Sequence, residues 1–251
     1  SATVAAWLPM VLYTTPPVVL VMMAVGLALF VRRALRRDPL AVLLVVWIGV
    51  VAARLSLPNA INFDGVRHFL EIFPPLVMVA AIGTVEVARR FIASPAIRTA
   101  LLAVPVVLTA VATIAVHPFE LVYWNALVGG YGGARARNIA QASDYWATSY
   151  RQGMEWVNAN VPPHTMLIVT VSPHTVVMAA PLRLRPDIAV AGVSRERALQ
   201  FARTRPVYVM FVPREEWRQP LDRELEATRK PVAVWERDGA PVLLIYRLER
   251  R

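Results

Sequence analysis

Cysteine is absent from the 251 residues, and Lys230 is the only lysine among the 27 basic residues. The lack of cysteine excludes disulfides and cysteine-ligated metal sites. The four histidines lie far apart in the sequence and do not form a metal-binding pattern such as H-E-x-x-H. We therefore expect no cofactor, while the sequence alone leaves a divalent metal open.

The positive charge is not gathered into one basic stripe, although the net charge is +10. A nucleic-acid-binding protein concentrates its basic residues in such a stripe. Here many arginines flank apolar segments and the others alternate with acidic residues. We therefore expect no nucleic-acid partner. Hydrophobic residues make up 57% of the chain and the mean hydropathy is +0.48, which is typical of a membrane protein.

Four apolar runs occupy the first part of the chain, at about residues 9–31, 39–57, 69–88 and 97–116. A membrane-spanning helix needs about 20 such residues, so the sequence predicts a bundle of about four transmembrane helices. Pro16 and Pro17 either kink the first run or mark its true start. The arginine-rich loops at 32–37 and 89–98 are predicted to be cytoplasmic, which places everything after His117 outside the cytoplasm.

Residues 118–251 alternate strand-like apolar runs with amphipathic helical segments. Helices are predicted at 144–160, 173–180, 194–204 and 220–230, and strands at 166–171, 188–193 and 206–212. Asp238-Gly239 predicts a hairpin turn within 232–248. This alternation indicates an α/β domain with a mostly parallel sheet and a C-terminal β-hairpin. We therefore divide the chain into a transmembrane helical region, 1–117, and an extracytoplasmic α/β domain, 118–251.

Three ionisable residues, Arg67, His68 and Glu71, lie at the start of the third apolar run, and Pro74 and Pro75 follow them. Ionisable groups at a membrane helix carry a large desolvation cost, which favours a functional role. Arg67 is either an anchor that reaches the membrane surface or a ligand for phosphate oxygens. Glu71 lies one turn later, where it would orient Arg67 or bind a sugar hydroxyl. The two prolines would loosen the helix around a cavity.

The segment 117–146 is rich in aromatic residues and glycine. Its aromatic side chains, among them Tyr123 and Trp146, either form an interfacial belt or line a cleft between the membrane helices and the outer domain. In the second case Asn125 and Asp144 would point into the cleft. The GGYGGA sequence at 129–134 does not match the dinucleotide fingerprint G-x-G-x-x-G and predicts a flexible turn.

Several of these motifs occur together in one known family. The chain combines R-H-x-L-x-I-x-P-P-L before a membrane helix, H-P-x-E-L-x-Y-x-N-x-L-x-G-G-x-x-G-A after the last one, and then D-Y-W and W-V-N-A-N-x-P-P. This pattern resembles bacterial glycosyltransferase family 39 of the GT-C superfamily, which includes protein mannosyltransferases and aminoarabinose transferases. The resemblance covers roughly residues 60–165, and more loosely the C-terminal strand.

The resemblance implies a multi-pass enzyme of the bacterial inner (plasma) membrane. Such enzymes transfer a sugar from a polyprenyl-phosphate donor to an acceptor, so the expected partners are membrane lipid, that donor and an unknown acceptor. Arg67 and His68 match the family's Arg-His pair, which the resemblance places near the donor phosphate. Tyr123, Asn125 and Asp144 match the motif after the last helix, and Trp146 belongs to D-Y-W.

The chain departs from the family pattern at the catalytic acidic residue. In the family this residue lies on the first external loop, near the N-terminus, and Asp64 on the short external loop here is a poor substitute. The catalytic residue is therefore unknown, and the resemblance implies the C-terminal portion of a larger enzyme. The alternative hypothesis is a non-enzymatic, membrane-anchored module whose outer α/β domain binds a partner or a glycan.

Overall fold

The computed structural model describes residues 7–58, 60, 65–139 and 141–248, so Asp64 lies outside the described residues. The chain divides into two compact units. The first contains residues 1–117 and 123–130, and the second contains residues 118–122 and 131–251. The regular elements described in the first unit are helices, and those of the second are helices and a sheet.

Five α-helices make up most of the first unit: α1 (Trp7–Thr14), α2 (Pro17–Leu35), α3 (Pro39–Leu55), α4 (Phe73–Phe91) and α5 (Pro95–Val116). A short 3₁₀ helix, Arg67–Ile72, leads directly into α4. Pro17 marks the true start of α2, because its missing N–H is not needed in the first helical turn. Asp38 and Ser94 begin α3 and α5 by accepting hydrogen bonds from Ala41 N and Ile97 N.

Three of the described helical segments are long and apolar enough to cross a membrane: α2, the continuous stretch Arg67–Phe91, and α5. This indicates a membrane-associated protein. Helix α3 is apolar but has only 17 residues, so the predicted fourth span is not confirmed. No residue of α5 is buried, although the helix is almost entirely apolar.

Helices α2 and α4 pack with their backbones in close contact at Gly26 and Gly83. A Cβ atom on Gly26 would lie 2.0 Å from the carbonyl oxygen of Val79, and one on Gly83 would lie 2.4 Å from Cα of Gly26. Small residues permit such close approach between membrane helices, where dispersion contacts replace the hydrophobic effect as the driving force. A side chain at either position must therefore push the two helices apart.

An ion-pair network joins the same two helices near the end of α2. The Arg33 guanidinium donates a hydrogen bond of 2.9 Å to Asp38 and also pairs with Glu86 of α4. Hydrogen bonding from Arg33 lowers the pKa of Asp38, which keeps this helix-capping carboxylate ionised. The Arg33 network and the glycine contact thus connect α2 and α4 at two different levels.

The second unit contains five α-helices and five strands. The helices are α6 (Gly130–Ala136), α7 (Tyr150–Asn160), α8 (Pro173–Arg183), α9 (Arg195–Thr204) and α10 (Pro220–Thr228). The strands are β1 (Met166–Val169), β2 (Ala189–Ala191), β3 (Val207–Phe211), β4 (Ala233–Arg237) and β5 (Ala240–Leu248). Each predicted strand and the predicted hairpin therefore has a counterpart in the structure.

The sheet is mixed rather than mostly parallel. Its strand order is β2-β1-β3-β5-β4. Strand β1 pairs in parallel with β2 and β3, whereas β5 pairs antiparallel with both β3 and β4. The prediction of a mostly parallel sheet is not confirmed, because the hairpin supplies two of the five strands and β5 adds a second antiparallel pairing, with β3.

The core of the second unit lies around β1 and β3, in which every residue is buried. Burial of consecutive residues means that both faces of these strands are covered. Helix α7 begins at Tyr150, later than the predicted start near Asp144. Its buried Tyr150 hydroxyl donates a hydrogen bond of 2.5 Å to the carbonyl oxygen of Val171, just after β1.

The GGYGGA sequence forms the start of helix α6 rather than a flexible turn. The backbone N–H of Tyr131 donates to the Asp238 carboxylate at 2.8 Å, and the Tyr131 hydroxyl donates to the Pro241 carbonyl at 3.0 Å. A Cβ atom on Gly132 would lie 1.9 Å from the Asp238 carbonyl oxygen. The glycine therefore lets α6 dock against the β4–β5 turn.

The glycine contact predicts a position-specific effect on stability. We expect Gly26→Ala to lower the free energy of unfolding by about 1–3 kcal/mol, because the added methyl group overpacks the α2–α4 contact. Gly49→Ala in α3 is the matched control, since a Cβ there meets nothing within 4 Å. Chemical denaturation in lipid nanodiscs measures both variants. Equal stability of the two would contradict the proposed packing.

Candidate functional site

Arg67 and His68 lie in the 3₁₀ helix that precedes α4. Phe69 interrupts regular helical geometry with φ −143° and ψ 28°. Phe69 and Ile72 are each 1% exposed and anchor the segment in the apolar core of the first unit. Glu71, which lies between these two anchors, is exposed, and Arg67 and His68, which precede Phe69, are half-buried.

A hydrogen-bonded network joins these polar residues to the end of α3. Nε of Arg67 donates to Nε2 of His68 at 2.9 Å, so Nε2 acts as the acceptor of the imidazole. The Arg54 guanidinium pairs with the Glu71 carboxylate and donates to the His68 carbonyl oxygen at 3.4 Å. The network therefore contains two guanidinium groups, one imidazole and one carboxylate.

Arg54 is the member that the sequence analysis missed. We expected Glu71 to orient Arg67 or to bind a hydroxyl, whereas its carboxylate pairs with Arg54. An arginine in the last turn of an apolar helix is a recognisable signal, because a cation there also interacts favourably with the helix dipole. Its partner could not be identified from the sequence, since Arg54 and Glu71 are 17 positions apart in the chain.

The two prolines contribute differently from what we expected. Pro74 and Pro75 occupy the first turn of α4, where proline is favoured, and do not loosen the interior of the helix. Pro75 is buried. The prolines therefore define where α4 begins, and this places the Arg67–Glu71 segment immediately before the long apolar helix.

Asn125 has a structural role in the first unit. Its buried side-chain amide donates to the carbonyl oxygens of Leu12 and Thr15 at 2.6 and 2.7 Å, and its oxygen accepts from Leu127 N at 3.0 Å. The backbone N–H of Asn125 donates to the Tyr13 carbonyl at 2.8 Å. These bonds satisfy carbonyl groups at the end of α1, which lack partners within the helix.

Tyr123 lies two residues before Asn125 and is half-buried. Burial raises the pKa of Tyr123, so its hydroxyl remains protonated and can act as a hydrogen-bond donor. Tyr123 belongs to the first unit, together with Asn125, Arg67 and His68. The structure therefore places five of the seven predicted site residues in that unit, the fifth being Glu71.

Asp144 and Trp146 lie in the second unit. Asp144 is fully buried and accepts hydrogen bonds from the Thr148 hydroxyl at 3.1 Å and from Ser149 N at 2.7 Å. It thereby shapes the turn that leads into α7 and is not open to solvent. Trp146 is 50% exposed and packs edge-on against Tyr145.

Asp222 is a buried carboxylate that the sequence analysis did not single out. Its Oδ2 accepts from Gln219 N at 2.8 Å and caps α10. Burial raises the pKa of Asp222, because desolvation penalises the ionised form.

No group of three or more metal-ligating side chains occurs among the described residues.

Comparison with known proteins adds no relative to this description. No family model, no curated protein and no solved structure matches the chain.

The contacts of Asn125 predict a loss of stability on substitution. We expect Asn125→Ala to remove the hydrogen bonds to the Leu12 and Thr15 carbonyls, at a cost of about 1–3 kcal/mol for the buried Thr15 carbonyl. Trp146 is another predicted site residue but is exposed. Trp146→Ala should therefore lower the free energy of unfolding less than Asn125→Ala does. Chemical denaturation in nanodiscs compares the two variants. An unchanged Asn125→Ala protein would contradict the structural role.

Proposed function

We propose that the Arg54–Arg67–His68–Glu71 network binds the phosphate of a polyprenyl-phosphate sugar donor. The observation that carries this proposal is the concentration of two guanidinium groups and an imidazole directly before an apolar helix. Guanidinium groups bind phosphate oxygens through paired, charge-assisted hydrogen bonds. A long apolar helix offers the lipid tail a surface beside its headgroup.

The pairing of Arg54 with Glu71 supports a division of roles within this network. Glu71 offsets one positive charge and holds the segment against α3, while Arg67 contacts the His68 imidazole. Arg67 is then the phosphate ligand, His68 orients its guanidinium, and Arg54 and Glu71 are positioning residues. Tyr123, Asn125, Asp144 and Trp146 have no assigned contact with the donor in this proposal.

The reaction we propose is inverting transfer of the sugar by a membrane glycosyltransferase of which this chain is the C-terminal portion. The acceptor hydroxyl attacks the anomeric carbon as the bond to the phosphate oxygen breaks, and a carboxylate base takes the hydroxyl proton. Negative charge grows on the departing phosphate, so a prepositioned Arg67 stabilises the transition state more than the ground state. The base is proposed to lie upstream of these residues.

The phosphate role can be tested without knowing the sugar. We expect nanodisc-embedded protein to bind undecaprenyl phosphate more tightly than undecaprenol, which lacks the phosphate. Arg67→Ala should weaken phosphate-lipid binding roughly 10- to 100-fold, because one charge-assisted hydrogen bond contributes about 1.5–3 kcal/mol. Native mass spectrometry of the protein–lipid complex measures both affinities.

Arg90→Ala is the matched control for this experiment. Arg90 is an exposed arginine in the last turn of α4, so its replacement changes the net charge by the same amount at the end of α4 that is farther from Arg67. Equal binding of the two lipids, or an equal loss in Arg67→Ala and Arg90→Ala, would contradict the proposed phosphate site.

The topology we propose has four spans, with α3 crossing the membrane despite its 17 residues, and the α/β unit outside the cytoplasm. Exposed positions suited to cysteine labelling are Arg36, Leu57, Ala93 and Ala227, and the chain has no native cysteine. We expect Leu57→Cys and Ala227→Cys to react with an impermeant maleimide from outside. Arg36→Cys and Ala93→Cys should react only after permeabilisation. Labelling of Leu57→Cys on the same side as Arg36→Cys would show that α3 does not span.

A further inference from the structure

Helix α8 carries its large apolar side chains on the outside of the second unit rather than toward the core. Val176, Ala179 and Ala180 pack in the core of that unit. Met178 and Leu182, in contrast, are 79% and 88% exposed. The exposed residues recur at intervals of three and four, so they share one side of the helix. We call this surface the α8 stripe, and it consists of His174, Val177, Met178, Pro181 and Leu182.

Helices α7 and α9 of the same unit have polar outward faces. Helix α7 exposes Arg151 and Glu155, and α9 exposes Glu196, Arg197 and Gln200. Such faces are suited to contact with water. The α8 stripe therefore differs from the neighbouring surfaces, and contiguous exposed apolar side chains of this kind mark contact with another apolar surface.

The size of the α8 stripe argues against a stable interface with a second protein. Helix α8 has 11 residues, so the stripe is about 16 Å long and, at the diameter of a helix, about 10 Å wide. An area of about 160 Å² is far below the roughly 800 Å² that each partner contributes to a stable protein–protein interface. A helix in the membrane interface needs only one apolar face, which enters the boundary between headgroups and acyl chains.

The covalent connection to the first unit keeps a lipid surface within reach of the second unit. Pro118, the first residue of the second unit, lies two positions after Val116, where α5 ends. Helix α5 is long and apolar enough to cross a membrane. A domain of this size has a radius of gyration of about 14 Å, so its surface stays near the end of α5. Such attachment gives a weak contact a high effective concentration of its partner.

The charges around the α8 stripe are compatible with lipid headgroups. The sequence contains no acidic residue between Glu155 and Asp187. Arg183 is exposed in the last turn of α8, directly after the stripe. A guanidinium group at this position can donate charge-assisted hydrogen bonds to lipid phosphate. Basic residues beside an apolar helix face are typical of helices that lie in the membrane interface.

We propose that the α8 stripe rests on the phospholipid surface of the membrane with which the first unit associates. Val177, Met178 and Leu182 enter the boundary between headgroups and acyl chains, and Arg183 contacts headgroup phosphates. The contact gives the second unit an attachment to the bilayer in addition to the chain that leaves α5. This proposal goes beyond the transfer reaction and does not depend on the Arg67 network.

Spin labels at single cysteines test this contact, since the chain has no native cysteine. The full chain is reconstituted into vesicles of phosphatidylethanolamine and phosphatidylglycerol. The label is placed at Met178→Cys, at Leu182→Cys or, as a control, at the exposed Ala227→Cys of α10. Power-saturation EPR compares the accessibility of the label to oxygen, which concentrates in lipid, with its accessibility to a water-soluble nickel chelate. We expect the oxygen-to-nickel ratio to be severalfold higher at positions 178 and 182 than at position 227.

A charged substitution tests whether the contact depends on the apolar side chains. Leu182→Glu should weaken the lipid contact about tenfold or more, because burial of one leucine contributes at least about one power of ten to the equilibrium constant. The label at Met178→Cys should then give a ratio as low as that at Ala227→Cys. Gln200→Glu, on the exposed face of α9, is the charge-matched control and should leave the ratio high. Neither position belongs to the core, so chemical denaturation should show unchanged stability for both variants.

Three results would overturn the proposal. A low ratio at both positions of the α8 stripe would show that the stripe faces water. Exclusion of both oxygen and nickel would show that protein, such as a second copy of the chain, covers it. A high ratio that persists in Leu182→Glu would show that the apolar side chains do not hold the contact. Binding of lipid phosphate by the Arg67→Ala protein is a separate measurement, so failure of this proposal is distinguishable from failure of the Arg67 site.

Discussion

The close contact between Gly26 and Gly83 is the constraint on which the helical unit depends. It brings the backbones of α2 and α4 together, and the Arg33–Glu86 pair joins the same helices at another level. The position of α4 in turn determines where the preceding Arg67–Ile72 segment lies. The buried Phe69 and Ile72 anchor that segment, and Arg54 connects it to α3. A polar network at the start of an apolar helix thus depends on a packing contact further along that helix.

Local sequence patterns predicted the elements well but not how they associate. Apolar runs, amphipathic segments and Asp238-Gly239 located most helices, the strands and the hairpin, because these signals act over a few residues, whereas helix α6 was predicted as a flexible turn. Residues that are far apart in the chain form the Gly26–Gly83 contact, the Arg54–Glu71 pair and the β3–β5 pairing. No local pattern specifies such pairings. The mixed sheet is an example. The sequence predicts that a hairpin forms, but it does not show which strand the hairpin pairs with.

For some of the predicted site residues, the structure shows a role in stabilising the fold, and for others it does not. Asn125 and Asp144 drew attention as polar residues in an aromatic segment, and both are buried and hydrogen-bonded to backbone groups, Asn125 to the end of α1 and Asp144 to the turn before α7. Their roles resemble those of capping residues, which sequence cannot separate from ligand-binding residues of the same type. Arg67 and His68 are partly exposed and lie in the segment that leads into a helix of spanning length, and our proposal assigns them a ligand.

The central claim, that Arg67 holds a lipid phosphate, is tested most directly by identifying the molecule that lies beside it in the membrane. Leu70 is 54% exposed within the same 3₁₀ helix, so a photo-crosslinking amino acid at this position samples the neighbourhood of Arg67. Mass spectrometry of the crosslinked protein should reveal a polyprenyl-phosphate adduct that disappears in the Arg67→Ala background and persists with Arg90→Ala. Adducts formed only with bulk phospholipid, or a polyprenyl adduct unaffected by Arg67→Ala, would contradict the account.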